Sequence, residues 1–334
     1  MKKQTVGAIA VAATLGATTL AWSSPASAEL NTRCVGEAGA VTVPGDLVVP
    51  RGEVCILTGT TVQGDVRVAR NADLLADGAT IGGRVAANNN AYFEAVGSTV
   101  DGEVVLNGAY GSYLESSDLG ARVLTRPNAI TDTGGFVYTF QSSVSGSLVS
   151  RSAELFVEAS EIGGTVNSRN SLYADLYESF VDGRVLVRNN ERGGVVCASA
   201  VQGDSRFVGN GVVVQLGSDG PFADCADGSY WGGDVTANRN TGGVFVDNNI
   251  VNGDLTLRNN DPVAQVGDDN MIRGEIVGQY EDWDAAAPMT LQHRSVAPQS
   301  NPQRRDNILD QKIEQRHAGA VKSAARAGAA HIGR

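Results

Sequence analysis

Lysine and histidine are almost missing from the main body of this 334-residue chain. No lysine occurs between Gln4 and Gln311, and the three histidines, His293, His317 and His331, all lie near the C-terminal end. Acid–base and metal-assisted catalysis usually draw on histidine, lysine and clustered carboxylates. The chain also has no Ser/His/Asp set, catalytic Cys/His pair, phosphate-binding loop or zinc-ligand spacing. These absences make most familiar classes of enzyme poor matches.

Long apolar runs are equally scarce. The apolar stretch Val6–Trp22 follows two lysines and precedes an Ala-Ser-Ala sequence at 26–28. This order is typical of an export signal with its cleavage site, so residues 1–28 are interpreted as a signal peptide. The stretch is too short and too rich in alanine and glycine to span a membrane, and no later segment is long enough. We expect a secreted protein, extracellular or at the cell surface.

Only four cysteines are present, and they form two local pairs, Cys34 with Cys55 and Cys197 with Cys225. Exported proteins commonly oxidise such pairs, so two disulfides are predicted. Free buried thiols or a metal site are the alternatives. Neither is favoured, because the sequence has no CxxC spacing and no histidine close to these cysteines.

The charge is distributed unevenly. Residues 29–291 contain 16 basic and 34 acidic side chains, whereas residues 292–334 contain eight basic and three acidic ones. An acidic body argues against nucleic acid and anionic membranes as partners for that part of the chain.

An apolar-x-Gly-x-apolar pattern returns about every 19 residues and determines the expected architecture. A period of this size is typical of units that bury their apolar faces by stacking on their neighbours. One position of the pattern holds Ala121 instead of glycine. The glycines are Gly45, Gly64, Gly83, Gly102, Gly146, Gly164, Gly183, Gly203, Gly233, Gly253 and Gly274.

Apolar residues stand two positions before and two positions after each glycine, as Val62 and Val66 do around Gly64. Such alternation predicts short strands with one buried face. A further apolar or aromatic position follows in each unit, for example Leu74 or Phe93. We therefore predict an all-β fold: a single-stranded parallel β-helix, or β-solenoid, of about 12 coils of ~19 residues. A right-handed coil is favoured, and a left-handed hexapeptide solenoid fits the variable intervals less well.

Two small-residue columns suit the corners of such a coil. The glycine tolerates a positive φ or a close approach of the backbone. Asparagines stand seven residues later, where they tolerate the left-handed conformation and can hydrogen-bond from coil to coil. They are Asn71, Asn90, Asn128, Asn190, Asn210, Asn240 and Asn260.

The units resemble those of bactofilins, small polymer-forming β-helix proteins. The similar segments are Val62-Gln63-Gly64-Asp65-Val66, Val251-Asn252-Gly253-Asp254-Leu255 and Ile272-Arg273-Gly274-Glu275-Ile276, within a span of about 45–278. The resemblance implies a right-handed parallel β-helix. Bactofilins act inside the cell, whereas this chain carries an export signal.

The predicted organisation has four parts. After the signal peptide, residues 29–44 form an N-terminal cap and residues 45–284 form the β-helix. Residues 285–334 form a basic, largely disordered tail, because the candidate helix at 306–318 has too little apolar surface to be stable alone. The alternative for this short helix is that it docks on another surface.

Charged columns provide the candidate binding sites. Arg126, Arg151, Arg169 and Arg188 stand five residues after the repeat position in four consecutive units. A row of like charges is mildly unfavourable unless anions lie beside it, so an acidic polysaccharide or wall polymer is a candidate ligand. Local carboxylates such as Glu154 are the alternative partners.

Acidic side chains form two further candidate sites. Asp204, Asp234, Asp254 and Glu275 follow the glycine directly, and they either collect cations or face water. The insertion at about 217–232 contains Asp219, Asp224 and Asp227. Clustered carboxylates are typical calcium ligands, so Ca²⁺ is the one cofactor considered, although an ordinary solvated turn explains the same residues.

We therefore expect a secreted, non-catalytic scaffold that binds acidic polysaccharide or self-associates. The alternative is a secreted polysaccharide lyase or glycoside hydrolase, since Asp268 and Asp269 resemble the paired aspartates of polygalacturonases. An accompanying Gly-His-Gly is missing. A third class, ice binding, rests on Thr61, Thr80 and Thr99, and that column changes to Asp118 in the next unit.

Overall fold

Three parallel β-sheets wrap around one apolar interior. The computed structural model describes residues 31–127, 135–218, 220–223, 225–283 and 302–332. Within them the sheets contain 13, 13 and 12 strands, and each strand pairs with its counterpart in the coils before and after it. The predicted all-β parallel solenoid with ~19-residue spacing is confirmed, with about thirteen coils rather than twelve.

The strands are short, and each coil contributes one to each sheet in turn. Sheet 1 contains Thr32–Arg33, Leu47–Val49, Val66–Val68, Val85–Asn88, Val104–Asn107, Val123–Arg126, Leu148–Arg151, Val166–Arg169, Val185–Arg188, Ser205–Val208, Val235–Asn238, Leu255–Arg258 and Ile276–Gly278. Sheet 2 contains Gly36–Ala38, Val54–Thr58, Asp73–Asp77, Tyr92–Val96, Gly111–Glu115, Phe136–Phe140, Glu154–Glu158, Ala174–Tyr177, Gly194–Cys197, Val213–Gly217, Gly243–Asp247, Ala264–Gly267 and Tyr280–Trp283. Sheet 3 contains Thr42–Val43, Thr61–Val62, Thr80–Ile81, Thr99–Val100, Asp118–Leu119, Ser143–Val144, Glu161–Ile162, Phe180–Val181, Ala200–Val201, Tyr230–Trp231, Ile250–Val251 and Met271–Ile272.

The two apolar columns around the glycine form the interior. Val100 and Val166 have no exposed surface, and their counterparts are buried in nearly every coil. The third predicted column is split between the two faces of sheet 2. Leu74 and Phe93 point inward, whereas Phe156 and Phe245 stand one register position away, on the outer face. A shift of one residue reverses the face of a strand, and the sequence spacing did not resolve that shift.

A ladder of buried serines follows the corner between sheets 2 and 3. From Ser117 onward each hydroxyl accepts the main-chain N–H of the serine in the preceding coil, at 3.1–3.3 Å. The Ser98 hydroxyl accepts the N–H of Ala79 at 3.0 Å. This satisfies corner amides that the sheets leave unpaired. The serines stand four residues before the repeat position, and they are Ser98, Ser117, Ser142, Ser160, Ser179, Ser199 and Ser229.

Asparagines of the column in the later coils, from Asn190 to Asn260, perform the same task at another corner, as the sequence predicted. Asn128 lies outside the described residues. Asn210 Oδ1 accepts the N–H of Asn190, and Asn240 Oδ1 accepts that of Asn210, at 3.0 and 2.9 Å. Their amide groups also donate to the main chain or to neighbouring side chains. The left-handed conformation belongs to Asn71 and Asn90 in the early coils. In the later coils the residue one position before the asparagine adopts the left-handed conformation.

The glycine column reflects close approach rather than positive φ. A Cβ at Gly102 would lie 2.6 Å from the carbonyl oxygen of Gly83 in the coil before, and Gly102 is absent from the residues with positive φ. Neighbouring coils meet backbone to backbone here, which leaves no room for a side chain.

A long helix, α1 (Pro302–Ala327), lies along the outer face of sheet 2. Leu309, Ile313, Ala320 and Ala324 are buried against aromatic and aliphatic side chains of that sheet. The sequence predicted a largely disordered tail with a helix of half this length, and over 302–327 that prediction is wrong. The helix is stabilised by packing that an isolated segment lacks.

The length of α1 matches the solenoid. Arg305 contacts the eighth strand of sheet 2, and Gly328 contacts the first strand. Seven coil spacings of ~4.8 Å give about 34 Å, and 23 helical residues at 1.5 Å give about 35 Å. The helix therefore returns the chain from the eighth coil to the first.

Three ion pairs and one histidine–carboxylate hydrogen bond fasten α1 to sheet 2. Burial raises the pKa of Asp175 and of Asp73, and the arginine beside each opposes that rise. Asp175 and Arg305 are almost fully buried, and Arg305 also donates to the carbonyl of Arg192 and stacks on the Tyr173 ring. The ion pairs are Arg305–Asp175 at 2.9 Å, Lys312–Glu154 at 2.8 Å and Arg316–Asp73 at 2.6 Å, and a hydrogen bond joins His317 Nδ1 to Glu94 at 2.7 Å.

Beyond α1, described residues of the insertion at about 217–232 cover the outer face of sheet 2. Phe222 and Trp283 each pack edge to face on Phe245, with ring centroids 5.2 and 5.0 Å away. Buried Gln215 accepts the N–H groups of Phe222 and Ala223. Sheet 2 is therefore covered outside as well as inside, while sheets 1 and 3 present outer faces to solvent.

Both predicted disulfides are present, Cys34–Cys55 and Cys197–Cys225. The first joins the two N-terminal coils, and the second fastens the insertion to sheet 2. The predicted cap at 29–44 is corrected, because its described residues build a complete first coil from Thr32 to Val43. The solenoid ends with Tyr280–Trp283, which forms the last strand of sheet 2.

The serine ladder predicts a sharp difference between two adjacent serines. Ser142→Ala removes the acceptor for the Ser117 N–H and a donor to the Leu114 carbonyl. We expect the free energy of unfolding to fall by ~1–3 kcal/mol, because a buried amide is left without a partner. Ser143→Ala, on the outer face, is the control and should stay within ~0.5 kcal/mol. Equal effects in chemical denaturation would contradict the assigned ladder.

The buried pair Arg305–Asp175 predicts that docking of the N-terminal end of α1 on sheet 2 depends on Arg305. Arg305→Met leaves the Asp175 carboxylate buried without its cation, and we expect a loss of ~3–5 kcal/mol. Lys322→Met, at an exposed position of the same helix, is the matched control. The double variant Arg305→Met/Asp175→Leu should recover most of the loss. If Arg305→Met and Lys322→Met melt at the same temperature, the pair does not hold the helix.

Candidate functional site

The arginine column forms a straight ladder along one edge of sheet 1. Arg151 pairs with Arg169, and Arg169 with Arg188, as direct register partners in neighbouring coils. Arg126 ends the strand next to that of Arg151. The side chains of Arg126, Arg151 and Arg169 are exposed, and that of Arg188 is half-buried. Parallel pairing fixes a spacing of ~4.8 Å between coils, so this arginine ladder places guanidinium groups at regular intervals.

These guanidinium groups have few partners of their own. Arg126 and Arg188 reach the side-chain oxygens of Asn107 and Asn167 at 3.5 and 3.4 Å, which are long hydrogen bonds. None of the four forms an ion pair with a residue in the described ranges. The Nε of Arg188 is buried and has no acceptor among those residues.

Glu154, the suggested local partner, lies elsewhere. Its carboxylate binds Lys312 of α1 and accepts a hydrogen bond from the Tyr173 hydroxyl on the outer face of sheet 2. The suggestion that Glu154 neutralises the arginines is therefore wrong.

Amide side chains extend the ladder on both sides. Asn88 and Asn107 precede Arg126 in the same register, and Asn238 and Arg258 follow Arg188 after Val208. Over nine coils, about 40 Å, this edge of sheet 1 therefore carries an arginine or an asparagine at every position except Val208. Guanidinium groups bind carboxylates in a forked geometry, and amides bind hydroxyls as well as carbonyls.

The acidic column after the glycine has a structural role. Asp234 Oδ1 accepts the N–H of Asp254, and Asp254 Oδ1 accepts that of Glu275, both at 2.9 Å. Asp46 and Asp65 do the same in the first coils. Each carboxylate thus satisfies an amide of the next coil. This explains why a short acceptor follows the glycine in the repeat.

The calcium prediction is untested. Asp219 and Asp224 lie outside the described residues, and Asp227 Oδ1 accepts the N–H of the following Gly228. Within the described ranges, no three His, Cys, Asp or Glu side chains are grouped so that they could hold a metal ion.

The residues considered for catalysis are dispersed. Asp268 and Asp269 are exposed in the turn after Ala264–Gly267. His317 is bound to Glu94 on sheet 2, His331 is exposed near the chain end, and His293 lies outside the described ranges. The structure does not bring these groups together.

An acidic cleft of about 440 Å³, missed by the sequence analysis, lies between α1 and sheet 2. Burial and the nearby Glu314 raise the pKa of Asp310, and burial raises that of Tyr113. Its walls come from two distant parts of the chain, so repeat spacing alone gave no signal for it. It is lined by Glu94, Val96, Tyr113, Glu115, Asp310, Ile313, Glu314 and His317.

The threonine column is in register and one residue longer than the sequence suggested. Thr42, Thr61, Thr80 and Thr99 are direct partners in sheet 3, and Asp118 follows in the fifth coil. Sheet 3 strands are two residues long, so no second threonine column accompanies the first within these strands.

None of the described helices is long and apolar enough to cross a bilayer.

Searches for related proteins add no family to this description. The chain matches no protein-family model, no curated protein and no solved structure. The resemblance to bactofilin repeats therefore has no support beyond the shared solenoid architecture.

Proposed function

We propose that this protein is a secreted, non-catalytic β-solenoid that binds a linear acidic polysaccharide along the arginine ladder. In this role it is a scaffold at the cell surface or in the envelope. The observation that carries the proposal is the direct register of Arg151, Arg169 and Arg188 on an exposed sheet edge without described carboxylate partners.

Electrostatics favours an anionic ligand at this ladder. Two like charges ~5 Å apart repel by about 1 kcal/mol even in water, and four in a row repeat that cost. A chain that carries a carboxylate on successive sugars removes the repulsion and forms charge-assisted hydrogen bonds. Several weak contacts along one polymer then act together, so the affinity of the whole exceeds that of each contact.

The neighbouring amides fit the same class of ligand. Asn238 continues the register of the ladder beyond Val208, and an amide side chain can hydrogen-bond the hydroxyl groups of a sugar. The amide nitrogens of Asn88 and Asn107 already donate within the chain, at 3.2–3.3 Å. The straight solenoid keeps all these donors in one line. A linear polymer is therefore favoured over a compact ligand.

Two further features support secretion. The N-terminal 28 residues have the order of an export signal, and two disulfides cross-link the fold. Disulfides persist in oxidising compartments outside the cytosol. A polymer of the cell surface or wall is accessible there.

Binding to polygalacturonate, with a neutral glucan for comparison, tests the proposal. Arg151→Gln/Arg169→Gln should weaken affinity for polygalacturonate about tenfold or more and flatten its dependence on salt, because two charged contacts are lost. Arg67→Gln/Arg206→Gln is the matched control, since both arginines are exposed on the same sheet but stand outside the ladder.

The control pair should retain most of the wild-type affinity in titration calorimetry or surface plasmon resonance. Equal losses in both double variants would indicate binding through overall charge. No measurable binding by the wild-type chain at moderate salt would overturn the proposal.

A further inference from the structure

The outer face of sheet 3 changes from polar to apolar along the solenoid. One side chain of each two-residue strand lies on this face, and these side chains are direct register partners from coil to coil. In the first seven strands the position holds threonine, serine, aspartate or glutamate. In the last five strands it holds apolar residues, here called the apolar row: Phe180, Ala200, Tyr230, Ile250 and Met271.

The apolar row is open to solvent although most of its side chains are large. Phe180, Ile250 and Met271 are 37, 40 and 57% exposed. The Tyr230 hydroxyl accepts a hydrogen bond from the Asn252 amide in the next coil at 2.6 Å, which holds the ring in place. An exposed apolar patch with polar surroundings is typical of an interaction site, and Phe, Tyr and Met are enriched at contacts between proteins. The row is therefore suited to a protein partner.

A second row borders the apolar row on the side toward sheet 1. Its residues stand two positions later, and their N–H groups continue the hydrogen-bond ladder of sheet 3. Asp182 and Arg273, at the two ends of this border row, are exposed and form no ion pair with a residue in the described ranges. In coil order the border row is Asp182, Gln202, Gly232, Asn252 and Arg273.

The apolar row is complementary to itself when a second copy is turned end for end. A two-fold axis through Tyr230 and along the strands sets the two copies of sheet 3 face to face, with their coils in opposite directions. Phe180 then meets the flexible Met271 of the other copy, a favourable pairing of ring and sulfur. Ile250 meets the small Ala200. Each large or small side chain thus has a partner that fills the space beside it.

The border row matches in the same arrangement. Asp182 meets Arg273 of the other copy at both ends of the contact, because the axis reverses the order of the coils. Gln202 meets Asn252, so that one amide lies opposite another. At the centre Gly232 meets itself, and the absence of side chains lets the two backbones approach.

Charge alone does not choose this arrangement, and the apolar row does. Glu178 and Asp269, at the corner with sheet 2, face each other across its rim, where water and salt screen their repulsion. With the coils parallel instead, Asp182 would face Glu178, and Arg273 would face Asp269. Ala200 would then face Ala200 between two pairs of rings, which leaves a gap. The antiparallel arrangement is therefore favoured.

We propose that the apolar row and the border row pair this protein with a second copy through sheet 3, with the coils antiparallel. The pair is closed, because each copy's row is fully used by the other and no third copy is added. The contact extends over only ~20 Å along the coils, so the pairing is weak and reversible. Sheet 1 takes no part in it. Where the arginine ladder binds a polymer as proposed above, a pair carries two such sites and links two polymer chains.

The test is sedimentation equilibrium of the full chain without polysaccharide. The wild type should show a reversible monomer–dimer equilibrium. Asp182→Arg and Arg273→Asp should each weaken pairing about tenfold or more, because each sets like charges against each other at both ends. An equimolar mixture of these two variants should regain the wild-type affinity, since every charge then faces its opposite. Asp118→Arg, at an exposed position in the polar part of sheet 3, is the matched control and should pair as the wild type does.

The mixture separates a lost contact from a lost fold, because unfolded variants could not regain affinity for each other. The proposal is overturned if the wild type stays monomeric at every concentration reached, or if the single variants pair as tightly as the wild type. It is equally overturned if the mixture pairs no better than its components. These results are independent of polygalacturonate binding, which uses sheet 1, so either proposal can fail without the other.

Discussion

The structure depends on the backbone hydrogen bonds between successive coils. Parallel pairing at ~4.8 Å brings every side chain directly above its counterpart, so each position of the repeat becomes a column of like residues. Serine, asparagine and aspartate columns are stable because each side chain accepts an N–H of a neighbouring coil. An arginine column has no such internal solution, since guanidinium groups only donate. The stacking of coils therefore stabilises the serine, asparagine and aspartate columns and leaves the arginine column in need of an anionic partner.

The outer face of sheet 2 positions α1 through charge and through apolar contact together. Its outer face carries aromatic rings for apolar contact and carboxylates at Asp73, Glu94, Glu154 and Asp175. The helix supplies Leu309 and Ile313 between its cations, and the small residues Ala320 and Ala324 beyond them. Burying a carboxylate is costly unless a cation lies beside it, so the ion pairs select the position of the helix more than they add stability. The acidic body and the basic tail are therefore two halves of one interface.

The architecture was largely predictable from the sequence, whereas the docking of α1 on sheet 2 was not. Columns such as Val62 and Val66 around Gly64 report a local, repeated environment, which a period of 19 residues reveals directly. Docking of α1 depends on residues about 130–240 positions apart, and no period connects them. A signal did exist: strand Phe136–Phe140 carries Phe136, Tyr138 and Phe140 on its outer face, as expected for a sheet covered on both sides.

The candidate site was likewise predictable from the sequence only in part. Sequence spacing placed Arg151, Arg169 and Arg188 in one row, since register follows from the repeat, but it could not show which carboxylates lie near them. Glu154 is only three residues from Arg151, yet it begins the next strand, on another sheet, where Lys312 neutralises it. Neutralisation is a property of the folded surface, where a turn of a few residues moves a side chain to a different face. Asp73, Glu154 and Asp175 obtain their cations from α1, whereas the arginine ladder obtains no anion from the described chain. That asymmetry, within a body whose net charge is negative, is the physical reason to seek the missing anion in a ligand.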